Sequence, residues 1–173
     1  MTIDKGFIVI VDISGYTSFV KAHNASKNSN LFKKFLDKIN DGHGELIISD
    51  LLETVINELD GTLTINKLEG DAALFYALPK NTDEFSIKLI KKLLTSIEIF
   101  NNRIDELLFV QSCPCTPCKN MVNLKLKCFV HYGEFLIKKI RNFEEIAGQD
   151  VIILHKLMKN SINNKTIFVT GGS

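Results

Sequence analysis

The run Phe7-Ile-Val-Ile-Val-Asp12 constrains this chain more than any other stretch. Its apolar residues are consecutive and mostly β-branched, with no polar alternation, which is the pattern of a strand buried on both faces. Such a strand belongs in the middle of a sheet covered on each side, so an all-helical or one-sided architecture is ruled out. The rest of the chain can supply that cover. With 173 residues, 45% of them apolar, it suits one domain with a single packed core. Lys+Arg number 21 against 20 Asp+Glu, which leaves no electrostatic footprint for nucleic acid or an anionic membrane. The early apolar run is far too short to span a bilayer and lacks the flanks of a secretory signal. We therefore expect a soluble, cytoplasmic single domain over residues 1–170, with Gly171-Gly172-Ser173 as a tail or linker.

Further along, residues 21–42 are polar, rich in Asn and Lys, and read as a loop carrying a short helical piece. Ile47, Ile48, Leu51, Leu52, Val55, Ile56 and Leu59 recur at a helical period from about residue 44, and Gly61 closes that helix. Residues 62–78 alternate around Leu68-Glu-Gly-Asp71, which predicts two antiparallel strands joined by a tight turn. A second long helix is expected over 83–108, then a cysteine loop, a strand at 124–131, a helix at 151–159 and a short strand at 166–170. The order strand, helix, hairpin, helix, strand fits an α+β fold: a ferredoxin-like β-α-β-β-α-β core, mostly antiparallel, with helices packed on the sheet.

Two carboxylates carry the functional argument. Asp12 ends the buried strand and Asp71 follows the hairpin turn; if strand and hairpin are neighbours, both acids project from one sheet edge. Close carboxylates repel unless a cation lies between them, and Mg²⁺ is held by one or two carboxylates plus substrate phosphates. Asp is also common at turns for local hydrogen bonding, so spacing alone leaves a plain turn role open.

The surrounding residues add to this. Val11-Asp12-Ile13-Ser14-Gly15-Tyr16-Thr17 resembles the opening motif of class III nucleotidyl cyclases, and Lys67-Leu68-Glu69-Gly70-Asp71 resembles their Lys-x-x-Gly-Asp hairpin motif. Leu126-Lys-Cys-Phe-Val-His131-Tyr-Gly133 is similar to their later Ile-Gly-Ile-His-x-Gly strand. The nearest resemblance is to uncharacterised bacterial cyclase-like domains with a Cys-x-Cys-x-x-Cys loop. The resemblance implies the cyclase fold, a head-to-tail homodimer with sites between subunits, and a nucleoside triphosphate substrate, ATP favoured. It further implies two Mg²⁺ or Mn²⁺ ions on Asp12, Asp71 and the main-chain carbonyl of Ile13, with Lys67 contacting the base.

One part of the family machinery is altered. The family's acid, Gly and Val-Asn-x-Ala-x-Arg stretch matches Glu145-Ile-Ala-Gly148-Gln-Asp-Val151-Ile152-Ile-Leu-His155-Lys156. Glu145 falls at the acid that accepts from the adenine amino group. Ile152 replaces the ribose-positioning asparagine and cannot hydrogen-bond. Lys156 replaces the transition-state arginine and loses its bidentate fork. Two readings follow: an adenylate cyclase forming cyclic AMP and pyrophosphate, or a degenerate cyclase domain that binds nucleotide or a partner as a regulatory dimer. A diguanylate cyclase is disfavoured, since no Gly-Gly-Asp/Glu-Glu-Phe motif is present.

Cys113, Cys115 and Cys118 could ligate Zn²⁺ as thiolates, remain reduced loop thiols, or serve a redox or inter-subunit role. Cys128 is a poor fourth ligand, because alternation puts it on the apolar face with Leu126 and Val130. His131 reads as structural. His155, beside Lys156, could approach a phosphate or face solvent.

Overall fold

The computed structural model describes residues 2–15, 31–110, 116–162 and 164–172. In chain order the elements are β1 (Thr2–Ser14), α1 (Leu31–Leu59), β2 (Thr64–Glu69), β3 (Ala72–Ala77) and α2 (Thr82–Val110). After them come α3 (Thr116–Asn120), a 3₁₀ turn (Met121–Asn123), β4 (Lys125–Ile140), β5 (Phe143–Ala147), α4 (Gln149–Met158) and β6 (Ile167–Gly171). The sheet runs β2-β3-β1-β4-β5, with β6 also paired to β4. The first four strands give the ferredoxin-like order, and their pairings are antiparallel, as expected.

β1 is central because its side chains leave it no alternative. Phe7, Val9, Val11 and Ile13 pack with Leu51 and Val55 of α1 and Leu93 and Phe100 of α2. Ile8 and Ile10 face the other way, onto Leu74, Phe129 and Val151 and Leu154 of α4. Burying an aliphatic or Phe side chain is worth roughly 1.5–3 kcal/mol, so a strand with two dry faces holds its register strongly. Across the first face Arg103 of α2 grips Asp50 of α1 with two parallel bonds of 2.7 and 2.8 Å. The pair is half-exposed, so it aligns the helices more than it stabilises them.

The structure departs from the sequence expectation in two places. α1 is one continuous helix from Leu31 to Leu59, which joins the expected short helical piece to the helix expected from about residue 44. Gly42 and Gly44 weaken it by about 1 kcal/mol each, but the buried face from Ile47 to Leu59 anchors the turns that precede it. β4 continues to Ile140, turns at Arg141 (φ 56°) and returns as β5, an antiparallel arm that the sequence pattern did not reveal. The arm curls over the second face. Phe135 and Ile146 join that core, Asn66 of β2 donates to the Glu144 carbonyl at 3.0 Å, and Tyr76 donates to the Glu144 carboxylate at 2.5 Å. β6 lies parallel to β4 and includes Gly171, while the Gly172 N–H donates to the Tyr132 carbonyl at 2.7 Å. Among the described residues no helix is long and apolar enough to cross a membrane.

Candidate functional site

The edge where β1 ends is built by the β2–β3 hairpin. Gly70 adopts φ +67°, a conformation L side chains rarely take, and so permits the two-residue reversal through Asp71. The buried Ile13 donates its N–H to the Asp71 carbonyl at 3.1 Å, stitching the turn to the strand end. Asp12 lies in register with Ala72 of β3 on one side and Lys127 of β4 on the other. Asp12 and Asp71 are thus brought to one edge.

Their electrostatics are unfavourable in the bare protein. Burial and then the neighbouring Asp71 charge raise the Asp12 carboxyl to about 6, against the opposing pull of Lys127. Asp71 is raised too, first by burial, with Glu45 of α1 adding to the rise. Two strained carboxylates and nearby main-chain oxygens are a hard donor set that a divalent cation would relieve. Among the described residues no three His, Cys, Asp or Glu side chains converge as a complete ligand set.

A stability consequence follows from the Asp12 shift. A folded-state value above the unfolded 3.8 means that the native state binds this proton more tightly. The ionised group therefore opposes folding above about pH 6, and the penalty fades as pH falls towards 4. Asp12→Asn should stabilise the metal-free protein by about 1–2 kcal/mol at pH 7.5, after discounting for solvent screening. That advantage over wild type should vanish near pH 4. Urea titrations of both proteins at the two pH values measure it, and equal stabilities at pH 7.5 would refute it.

A second cluster joins the hairpin to α4. The Lys67 ammonium lies 2.8 Å from the Glu69 carboxylate, which in turn lies 3.0 Å from Nε2 of His155. Nδ1 of His155 is 2.8 Å from the Val151 carbonyl, an acceptor, so that nitrogen carries a proton. Burial raises the Glu69 carboxyl, but hydrogen bonds from Lys67 and His155 outweigh it and leave it below its ordinary value. His155 thus bridges α4 to the hairpin, with its side chain partly exposed. Ile152 and Lys156 are exposed one turn apart on the same helix.

Glu145 stands elsewhere. It is exposed on β5, 3.6 Å from Lys138, its partner across the arm. Both of its chain neighbours are tied to β2: Asn66 donates to the Glu144 carbonyl at 3.0 Å and accepts from the Ile146 N–H at 3.4 Å.

Cys113 and Cys115 lie outside the described residues. Cys118 is buried in the first core with Met121 and Leu124. Burial pushes the Cys128 thiol up to about 12, so it stays protonated at neutral pH and is no thiolate ligand. His131 is buried, with Nδ1 2.9 Å from the Thr170 hydroxyl and Nε2 3.4 Å from Asp150. Lys127, which alternates with the apolar Leu126 and Cys128, is itself 9% exposed and donates to the Ile162 carbonyl at 3.0 Å.

Comparison with known proteins adds a frame. Residues 48–166 match the family described as a protein of unknown function, DUF2652. An uncharacterized protein of Mycobacterium tuberculosis is 34% identical over 115 residues, 66% of this chain and 52% of the relative. The chain thus spans about half the length of the curated relative it matches. Among solved structures, the guanylyl cyclase Cya2 superposes with a TM-score of 0.63 at 14% identity, covering 98% of this chain and 76% of that one. A class III adenylyl cyclase-like ATP-binding protein from Pseudomonas aeruginosa gives 0.56 at 14% identity, covering 99% of this chain and 34% of that one. At such identities the likeness shows the fold: this is a class III cyclase-type domain in architecture.

Proposed function

We propose that this chain, which belongs to the DUF2652 family of proteins of unknown function, binds ATP with Mg²⁺ or Mn²⁺ between two copies of itself. In this reading it converts the nucleotide to cyclic AMP and pyrophosphate only slowly. The observation that carries the proposal is the Asp12–Asp71 pair, two half-buried carboxylates held at one edge with their proton affinities raised. Asp12, Asp71 and the Ile13 carbonyl would hold the cation. When bound, it would polarise the ribose 3′-hydroxyl and screen the triphosphate as pyrophosphate departs.

The protein's own side chains divide the remaining work. Glu145, whose neighbour Glu144 bonds Asn66 next to Lys67 on β2, would contact the base together with Lys67 in the site completed by the second subunit. Slow turnover follows from α4. Ile152 offers no hydrogen bond to the ribose, and Lys156 brings a point charge in place of a planar fork. A regulatory dimer that binds ATP without turnover is the second reading. The tie of Lys67 to Glu69 and His155 favours it, because that lysine must leave a partner before it can meet a base.

Incubation of the purified protein with each nucleoside triphosphate and Mn²⁺, followed by mass spectrometry, separates the readings. We expect a low yield of cyclic AMP. Ile152→Asn with Lys156→Arg should raise it tenfold or more, since one restored electrostatic contact at a transition state is worth about 2.7–4 kcal/mol. An unchanged rate in the double variant would remove the assigned roles of α4.

A further inference from the structure

We propose that His155 is a positioning residue for the base end of the nucleotide site. Held as an imidazolium, it shares the Glu69 carboxylate with Lys67 and so leaves that lysine able to exchange Glu69 for a purine base. The proposal rests on the reading of Lys67 as the base contact. It names the two residues, Glu69 and His155, that set its availability.

The hydrogen-bond partners of His155 assign its charge. Nδ1 lies 2.8 Å from the Val151 carbonyl, which can only accept. Nε2 lies 3.0 and 3.3 Å from the two Glu69 oxygens. A neutral imidazole has one N–H and one bare nitrogen, so it would set a lone pair against an acceptor at one of these places. Two protons satisfy both. His155 also lies in the last turn of α4, where the helix dipole favours a cation. The Glu69 carboxyl, which burial alone would raise, is held below its ordinary value by hydrogen bonds from Lys67 and His155, so it serves as the anion between them.

A carboxylate shared by two cations holds each less firmly than it would hold one alone. The Lys67 ammonium is 2.8 Å from one Glu69 oxygen, and the His155 ring takes the other. Without the imidazolium charge the whole carboxylate would be left to Lys67, and the lysine would stay on it. The Lys67, Glu69 and His155 side chains are 41%, 28% and 33% exposed, so a ligand reaches the ammonium without opening the hairpin. Because His155 adjoins Lys156 on α4, the same carboxylate ties the base contact to the helix that carries Ile152 and Lys156.

The test compares binding of Mn²⁺ complexes of ATP and of inorganic tripolyphosphate, the phosphate chain without its nucleoside, to the full chain by calorimetry. The ratio of the two affinities reports the nucleoside end and cancels effects on metal and phosphate. His155→Gln should lower that ratio about twofold to fivefold, the range of a partly exposed ion pair. Glu69→Gln, which keeps the shape and removes the charge, should leave the ratio equal to wild type or raise it. In the Glu69→Gln background, His155→Gln should then have no further effect, whereas a merely structural role would add in both. An unchanged ratio in His155→Gln, a lower one in Glu69→Gln, or additive losses in the double variant would overturn the proposal. The Glu69→Gln result decides even if the His155 variants do not fold. A ratio unchanged in Lys67→Met, or no binding by wild type, would instead overturn the nucleotide site on which the proposal rests.

Discussion

ATP with Mn²⁺ should raise the melting temperature of the wild-type protein, and Asp71→Ala should abolish that rise. Ligand at a hundredfold excess over its dissociation constant adds about 2.7 kcal/mol to the stability of the state that binds it. For a chain of this size that corresponds to roughly 5–11 °C. Asp71 sits in a turn, so its truncation leaves the two strands paired. What disappears is half of the anionic donor set, and the bare triphosphate would then meet Asp12 with too little positive charge between them. Asp71→Asn separates charge from shape and should lose the same shift. Mn²⁺ alone and ATP alone should each give less than the two together. A full nucleotide shift in Asp71→Ala would mean that ATP binds away from this edge.

Gly133→Ala should destabilise the fold by about 3 kcal/mol, lowering the melting temperature by roughly 6–12 °C. An added methyl would fall 2.0 Å from Oδ2 of Asp150 and 2.7 Å from Nε2 of His131, and the enclosed His131 cannot retreat. His131 is fully enclosed, and Asp150 is fixed by accepting from the Glu134 N–H at 2.6 Å. The glycine thus lets the start of α4 sit flush against β4, with the Asp150 carboxylate beside the buried imidazole. Asp150→Gly in the Gly133→Ala background should recover part of the loss by clearing the space, despite removing a polar contact. A thermal melt of Gly133→Ala within 1–2 °C of wild type would show that α4 shifts without penalty, and the stated packing would be wrong.

What the sequence discloses and what it hides divide along physical lines. β1 was readable because a two-faced buried strand needs an uninterrupted β-branched run. The hairpin was readable because Gly70 and the alternation on either side of it mark a reversal. That Asp12 and Asp71 meet followed from those two elements alone. α1 reads as two helical pieces because Gly42 and Gly44 lower local helix preference between them, whereas packing further along makes them one helix. β5 carries Phe143, Glu144, Glu145 and Ile146 without a regular period, since only one of its residues is buried and the arm is held by Asn66 and Tyr76 from distant strands. Lys127 was hidden for a related reason. Alternation distinguishes the two faces of a strand but does not say that α4 and the chain after it will cover both. Cys128 was the converse case: its apolar neighbours already indicated an inert, buried thiol.

β4 has one edge on β1 and shares the other between β5, at residues 136–140, and β6, at residues 128–132. Its β1 partners lie more than a hundred residues earlier, and β6 comes almost forty residues later. During synthesis the first sheet to assemble would therefore carry a long, apolar, unpaired margin until residues 167–171 have been made. Open margins of that kind template pairing with other chains, and contacts distant in sequence form slowly. Biogenesis, more than equilibrium stability, is thus the vulnerable stage of this fold. Removal of residues 167–173 should leave a chain that collapses and still aggregates, because β4 then keeps half of one edge bare.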